Sequence, residues 1–357
     1  MSKKTNRSEI SRREFVKQTA TGLAGIVGGA WVMTSNCSSP IAPTTEKKQP
    51  PKVPVGSSNR DPGSNGHSGN ANSLPHRILG KTGLEISMLA FGGGSQFLKN
   101  ENGAWQTLMQ RAIELGVNYF DTAFNYNGSE ERYAEILAPI REQVYIATKF
   151  DGKNGNLRDV DLMMREFETS LRRLNTNYVD VLLIHDINDN DNVTQIENGV
   201  FKQMLKLKAE GTARFIGFSS MSSAQRAKEL IVNLDFDVAL LALNATNYGS
   251  YATIALPPAR EKEMGILAMK VMRDVVGVAA TAEELIHYVL DRDGVASAVI
   301  AHYGTETLEE NAAIISQFKP SSVDDDYGEL ENRLRPFASP DALCWARPDY
   351  VDGSGLV

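Results

Sequence analysis

Between residues 86 and 318 the chain alternates, eight times over, between a short apolar run and a stretch with helical periodicity. The apolar runs lie at 86–91, 117–120, 144–148, 179–184, 214–218, 238–243, 266–269 and 296–300. Helical patterns follow each of them. In the first, Trp105, Leu108, Met109, Ala112 and Ile113 share one face at i, i+3, i+4, i+7 and i+8. The runs are continuously apolar instead of alternating, which suits parallel strands buried on both faces. Eight such units in about 240 residues match a (β/α)8, or TIM, barrel, typically ~250 residues long. A doubly wound open sheet would more often place G-x-G-x-x-G after its first strand, and Gly92-Gly93-Gly94 is a different pattern.

Local signals punctuate the units. Gly116 and Gly211 end helices, and Ser129 stands as an N-cap ahead of Glu130 and Glu131. Pro257-Pro258 should break the helical pattern over 252–263, and Thr281 with Glu284 has capping-box spacing.

The segments outside the repeating part read differently. Residues 1–37 carry Ser11-Arg12-Arg13-Glu14-Phe15-Val16-Lys17, which closely resembles the twin-arginine export signal, then an uncharged run over 19–33 rich in Gly and Ala. That run is short for a spanning helix, which needs about 20 residues, and suits a signal-peptide core. The reading implies passage through the twin-arginine translocase to the periplasm or cell envelope. Cys37 follows where a lipoprotein signal would place a lipidated cysteine, a membrane tether. Residues 38–76 are dominated by Pro, Gly, Ser, Asn and Lys, and are expected to form a disordered linker. The barrel is expected over 77–320, and 321–357 is a polar tail with isolated aromatics, Phe337, Trp345 and Tyr350.

With 44 acidic and 37 basic residues the net charge is −7, so no basic footprint for nucleic acid is expected. Two cysteines, Cys37 and Cys344, cannot build a disulfide framework, and the five histidines form no H-x-x-x-H pair, so no metal site is expected.

In a barrel the C-terminal strand tips converge on one mouth. Here they would present Asp121, Lys149, His185, Ser219, Asn244 and Lys270, with Tyr126 from the second loop. An ammonium beside a phenol favours the phenolate, so Lys149 is expected to lower the pKa of Tyr126 and suit it to proton transfer. Asp121 would pair with Lys149, and His185 could hydrogen-bond a substrate oxygen beside the phenol.

The stretch G-V-N-Y-F-D-T-A-F-N-Y-N-G-S-E, 116–130, resembles the aldo-keto reductase signature G-x-x-x-x-D-T-A-x-x-Y-G-x-S-E, with Asn127 as one extra residue. The resemblance extends over 77–318 and implies a catalytic set of Asp121, Tyr126, Lys149 and His185. It also implies NADP or NAD lying across the mouth, and a small carbonyl or alcohol substrate. Gly217-Phe218-Ser219-Ser220 matches the family motif whose serine meets the nicotinamide carboxamide, and Glu310-Asn311 the pair that meets adenine. Gly92, Gly93, Asn244, Met269 and Lys270 complete the coenzyme residues that the resemblance suggests. Leu240 stands where the family often has Gln, Met269 where an aromatic often stacks, and Ala301, His302 and Thr307 where basic residues grip a 2′-phosphate. Glu310 also has capping-box spacing from Thr307. Two other functions fit a barrel with strand-end lysines: a Schiff-base lyase using Lys149 or Lys270, and a non-catalytic nucleotide-sensing module.

Overall fold

The computed structural model describes residues 74–151, 157, 159–320 and 327–353. The export signal with Arg12 and Arg13, Cys37, and the linker up to residue 73 lie outside the described residues. Among the described residues no helix is long and apolar enough to cross a membrane.

Eight parallel strands close into a barrel: β3 (Leu89–Gly92), β4 (Tyr119–Asp121), β5 (Tyr145–Asp151), β6 (Val179–His185), β7 (Ala213–Ser220), β8 (Val238–Ala242), β9 (Gly265–Met269) and β10 (Val295–Ile300). Neighbours in sequence are neighbours in the barrel, and β10 returns to pair with β3. The apolar runs have the predicted role: every residue of β6 and β8 is buried. Helices on the outside cover the strands, so one core serves both layers.

The run at 86–91 is two strands, not one. β2 (Glu85–Ser87) pairs antiparallel with β1 (His76–Ile78), and the barrel strand begins only at Leu89. The chain turns at Met88 because Ser87 is held sideways: its hydroxyl donates to the Leu89 carbonyl at 2.6 Å and its N–H to Asn118 Oδ1 at 2.8 Å. The hairpin is pinned to the N-terminal end of the barrel by Arg77, whose Nη1 donates to the carbonyls of Leu290 and Val295, both at 2.7 Å. The packed chain therefore reaches back to Leu74, which is buried.

Ser129 is the first helical residue of Ser129–Leu137, not its cap. Gly128 holds the cap position at φ 77°, and the Ser129 hydroxyl accepts from Thr122 Oγ1 at 2.8 Å. Glu130 is buried and accepts from Thr148 Oγ1 at 2.7 Å, tying this helix to β5. The two prolines do break their helix, into Tyr251–Ile254 and Leu256–Glu261, and sit in the first turn of the second piece. There their missing N–H groups cost nothing. The Thr281–Glu284 capping box is present. The Thr307–Glu310 box is absent, because the Thr307 hydroxyl donates to the carbonyls of Tyr303 and Gly304.

The described part of the tail, 327–353, packs on the barrel. It carries the helix Gly328–Leu334 and turns at Arg335–Phe337 and Cys344–Ala346. Leu330, Leu334, Leu343 and Trp345 join the barrel's core, Trp345 edge-on to Tyr248 at 5.5 Å.

Candidate active site

The register of the strands sets the first part of the site. Asp121 pairs across from Ala147, so Lys149, two residues further along β5, projects from the same face. Its Nζ donates to Asp121 Oδ2 at 2.6 Å and to the Thr122 carbonyl at 2.8 Å. Both side chains are buried, at 1% and 5% exposure, so this ion pair is largely withdrawn from water. Burial raises the Asp121 carboxyl above its ordinary range, against the pull of Lys149. His185 ends β6 and sits edge-on to Tyr126, with ring centroids 5.5 Å apart.

Asp121, Tyr126, Lys149 and His185 are thus brought together, but the phenol is in a different state from the one expected. Lys149 Nζ lies 5.0 Å from the Tyr126 ring centroid and spends its hydrogen bonds elsewhere. The Tyr126 hydroxyl donates instead to Asp352 Oδ2, from the last described turn of the tail. Burial, and then the carboxylates of Asp352 and Asp121, push the phenol well above its ordinary value. The lowering expected from Lys149 does not occur: burial dominates, followed by Asp352, a carboxylate that sequence spacing did not connect to Tyr126.

Asp352 is the residue that sequence reasoning missed. Its Oδ2 also lies 3.2 Å from His185 Nε2, and its Oδ1 accepts from Lys270 Nζ at 2.5 Å and from the Tyr350 hydroxyl at 3.0 Å. Burial opposes its charge, yet Lys270 and His185 outweigh that and hold the carboxyl well below the usual range. An ionised carboxylate only accepts, so His185 presents a protonated Nε2 to it. Burial likewise opposes the Lys270 ammonium, and Asp352 and Tyr350 still raise its pKa. The available signal was weak: a lone Asp-Gly in a polar tail, two residues after a tyrosine.

Beside this cluster a cavity of about 330 Å³ opens at the mouth. Of the residues suggested for coenzyme, Gly92, Met269, Lys270 and Asn311 line it, together with Leu240 and His302. Gly93 does not: its N–H bonds the Asp121 carbonyl, and a β-carbon there would press on Ser129 and Tyr133. The Ser219 hydroxyl accepts from the Asp186 N–H at 2.8 Å, and the Ser220 hydroxyl bonds the carbonyls of Ile187 and Ser223 and the Tyr251 hydroxyl. Both serines thus have partners within the protein. Asn244 is buried with Oδ1 taken by Thr246 and Nδ2 unpartnered, and Glu310 is exposed on the outer helix. His302 is buried with both ring nitrogens unpartnered, and burial lowers its pKa to about 3. Among the described residues no group of three metal-ligating side chains forms.

A closed parallel barrel with a buried Asp–Lys pair, a Tyr and a His at its C-terminal mouth defines a class of barrel enzymes whose chemistry sits on the strand ends. The chain belongs to the Aldo/keto reductase family, whose sequence profile matches residues 88–281. L-galactose dehydrogenase of Arabidopsis thaliana is 34% identical over 154 residues, 41% of this chain and 48% of that protein. The chain thus spans about half the length of that relative. The uncharacterized oxidoreductase YqkF of Bacillus subtilis (strain 168) is 26% identical over 278 residues, 66% of this chain and 89% of that protein. The holo form of an aldo-keto reductase from Bacillus halodurans has the same fold, with a TM-score of 0.59 at 20% identity over 74% of this chain and 97% of that one.

Proposed function

We propose that the chain interconverts an aldehyde or ketone and the corresponding alcohol with NAD or NADP as coenzyme, Tyr126 acting as the general acid and base. One observation carries the reading: the Tyr126 hydroxyl and His185 Nε2 converge on a single oxygen, Asp352 Oδ2. An oxygen held there can be protonated by the phenol while the imidazole fixes its direction. The Asp121–Lys149 pair lies behind the ring and keeps a cation near any charge that develops on the phenol. Removing the Asp352 carboxylate from Tyr126 also removes a group that holds its proton on.

The cavity suits a dinucleotide in its chemistry. Its volume lies within the roughly 300–1,000 Å³ of small-molecule sites, and His302 offers it two unsatisfied nitrogens. Gly92, Met269 and Asn311 would hold the coenzyme, with Asn244 just beyond β8 as a further donor. When bound, the coenzyme supplies or accepts the hydride at the carbonyl carbon. A neutral His302 beside Ala301 and Thr307 offers no cation to a 2′-phosphate, so titrating the protein with both nucleotides decides between them.

Both lysines of a Schiff-base lyase are engaged as ammonium ions, Lys149 with Asp121 and Lys270 with Asp352, which disfavours attack on a carbonyl. Replacing Tyr126 with Phe tests the reductase directly. Carbonyl reduction should fall by at least the ~10²–10⁴-fold typical of a general acid, with nucleotide binding retained, and unchanged turnover would sink the assignment. We further propose export by the twin-arginine route, on the strength of the Arg12-Arg13 segment. Replacing both arginines with Lys should leave the protein inside the cell, and export that survives the change counts against this reading.

A further inference from the structure

The two oxygens of Asp352 sit in two unlike environments. Oδ2 faces Tyr126 and His185, the groups assigned above to the reacting oxygen. Oδ1 faces Lys270 and Tyr350, which that chemistry leaves unused. Lys270 is aimed there by unusual backbone: it follows β9 at φ 59°, a left-handed conformation that a long side chain rarely adopts. Observed strain of this kind at a mouth points to a use for the side chain. Two cations lie near the Tyr350 ring, Lys270 at 4.9 Å from its centroid and Arg273 at 5.7 Å. The second oxygen position is therefore cationic and part-buried.

Asp352 cannot stay when a substrate carbonyl binds, because both need the same place on Tyr126 and His185. Its departure leaves the Lys270 ammonium without its counter-ion, in a site where side-chain exposure is 10%. A neutral substrate leaves that charge uncompensated, which is costly in a desolvated pocket. A substrate that carries its own carboxylate restores the pair.

We propose that Lys270 and Tyr350 form a carboxylate subsite, and that the substrates are carbonyl compounds with a carboxylate next to the carbonyl, as in 2-oxo acids. The carbonyl oxygen takes the Oδ2 position and a carboxylate oxygen the Oδ1 position. Asp352 fills both in cis and is exchanged for substrates that match its charge. This rests on the carbonyl-reductase reading and adds the substrate class to it. Gly353, at φ 76°, packs against the Tyr126 ring, and a β-carbon there would overlap it.

Two measurements test it. The first compares glyoxylate with glycolaldehyde, of like size, as substrates of the full chain. The wild type should prefer glyoxylate in kcat/KM by about tenfold or more, equivalent to ~1.4 kcal/mol, and Lys270→Met should bring the ratio close to one. No preference for glyoxylate, or a preference that persists in Lys270→Met, overturns the proposal. The second needs no turnover. Calorimetric titration with oxamate, an unreactive analogue with a carbonyl beside a carboxylate, should show about tenfold tighter binding in Gly353→Val, where the tail is expelled, than in the wild type. The gain should vanish in the Gly353→Val, Lys270→Met double variant. Equal binding in wild type and Gly353→Val, or a gain indifferent to Lys270, also overturns it. Asp352→Asn, which takes the tail's charge from Lys270 and loosens the tail without adding bulk, gives the same comparison should the valine variant fold poorly. Oxamate binding without reduction of any carbonyl would break the reductase reading and leave the subsite. Reduction of neutral carbonyls without the oxamate gain would do the reverse.

Discussion

The mouth of the barrel holds two lysine–carboxylate pairs, one buried and one part-buried, and they are built differently. Asp121 and Lys149 come from adjacent strands, β4 and β5, in a register fixed by backbone hydrogen bonds. Lys270 and Asp352 join the end of one strand to a turn 82 residues further on, near the end of the described chain. The first pair cannot open unless the sheet opens. The second can open by movement of a few tail residues, because among the described residues no helix or strand follows the turn Cys344–Ala346. The same chemistry is thus a fixture in one place and a removable contact in the other. Their carboxyls differ accordingly: burial pushes Asp121 up, whereas for Asp352 Lys270 and His185 outweigh burial and pull it down.

The strongest way to break this comparison is Lys149→Met. It strands the Asp121 carboxylate in a buried site, and breaking a buried pair from one side costs ~3–5 kcal/mol. Denaturant unfolding should show that loss, and carbonyl reduction should fall with it. A loss of only a few tenths of a kcal/mol would mean that the strand pair is no more fixed than the tail pair.

Asp352→Asn should cost less, about 1–2 kcal/mol, because the amide keeps an oxygen to accept a hydrogen bond and the loosened tail can let water reach Lys270. Amide hydrogen exchange should quicken over the residues around Asp352 while the amides of β4 and β5 stay protected. Exchange that quickens equally in the strands would show that tail and barrel open as one unit.

The smallest effect sharpens the contrast through pH. The Asp352 carboxyl is lower in the folded protein than in the unfolded chain, where it titrates near about 3.9. Its contribution to stability is therefore present above that value and is lost as pH falls through the folded one. The stability gap between wild type and Asp352→Asn should be constant near neutrality and close as the solution is acidified below about pH 4. Asp121 has the opposite sign: its raised carboxyl takes up protons more readily folded than unfolded, so its ionisation works against stability as pH rises. A gap that widens on acidification would reverse the assignment for Asp352.

Much of the site was legible because its parts are local. Asp121 and Tyr126 lie in one strand–loop unit, and Lys149 and His185 each end a recognisable apolar run. Placing each at a strand end was enough to bring them together, since a closed parallel barrel gathers all its strand ends at one mouth. The double proline and the Thr281–Glu284 cap were readable for the same reason, as interactions within one turn of chain. The Ser129 cap was misassigned by one residue. Gly128 can take the positive φ that the loop needs, and the serine hydroxyl was already engaged with Thr122.

What the sequence determined by itself was the alternation of apolar runs and helical faces, and with it the barrel and the grouping of Asp121, Lys149 and His185 around Tyr126. Burial on both faces demands continuous apolar strands, and that demand is written in consecutive residues. Only the tertiary structure decided the state of the phenol and the occupant of the mouth. Asp352 reaches Tyr126 across 226 positions of chain, Lys270 across 82, and no local pattern encodes either distance. The balance between burial and paired charge that sets Tyr126, Asp352 and His302 belongs to the three-dimensional surroundings, because desolvation depends on every atom that excludes water and not on the neighbours in sequence.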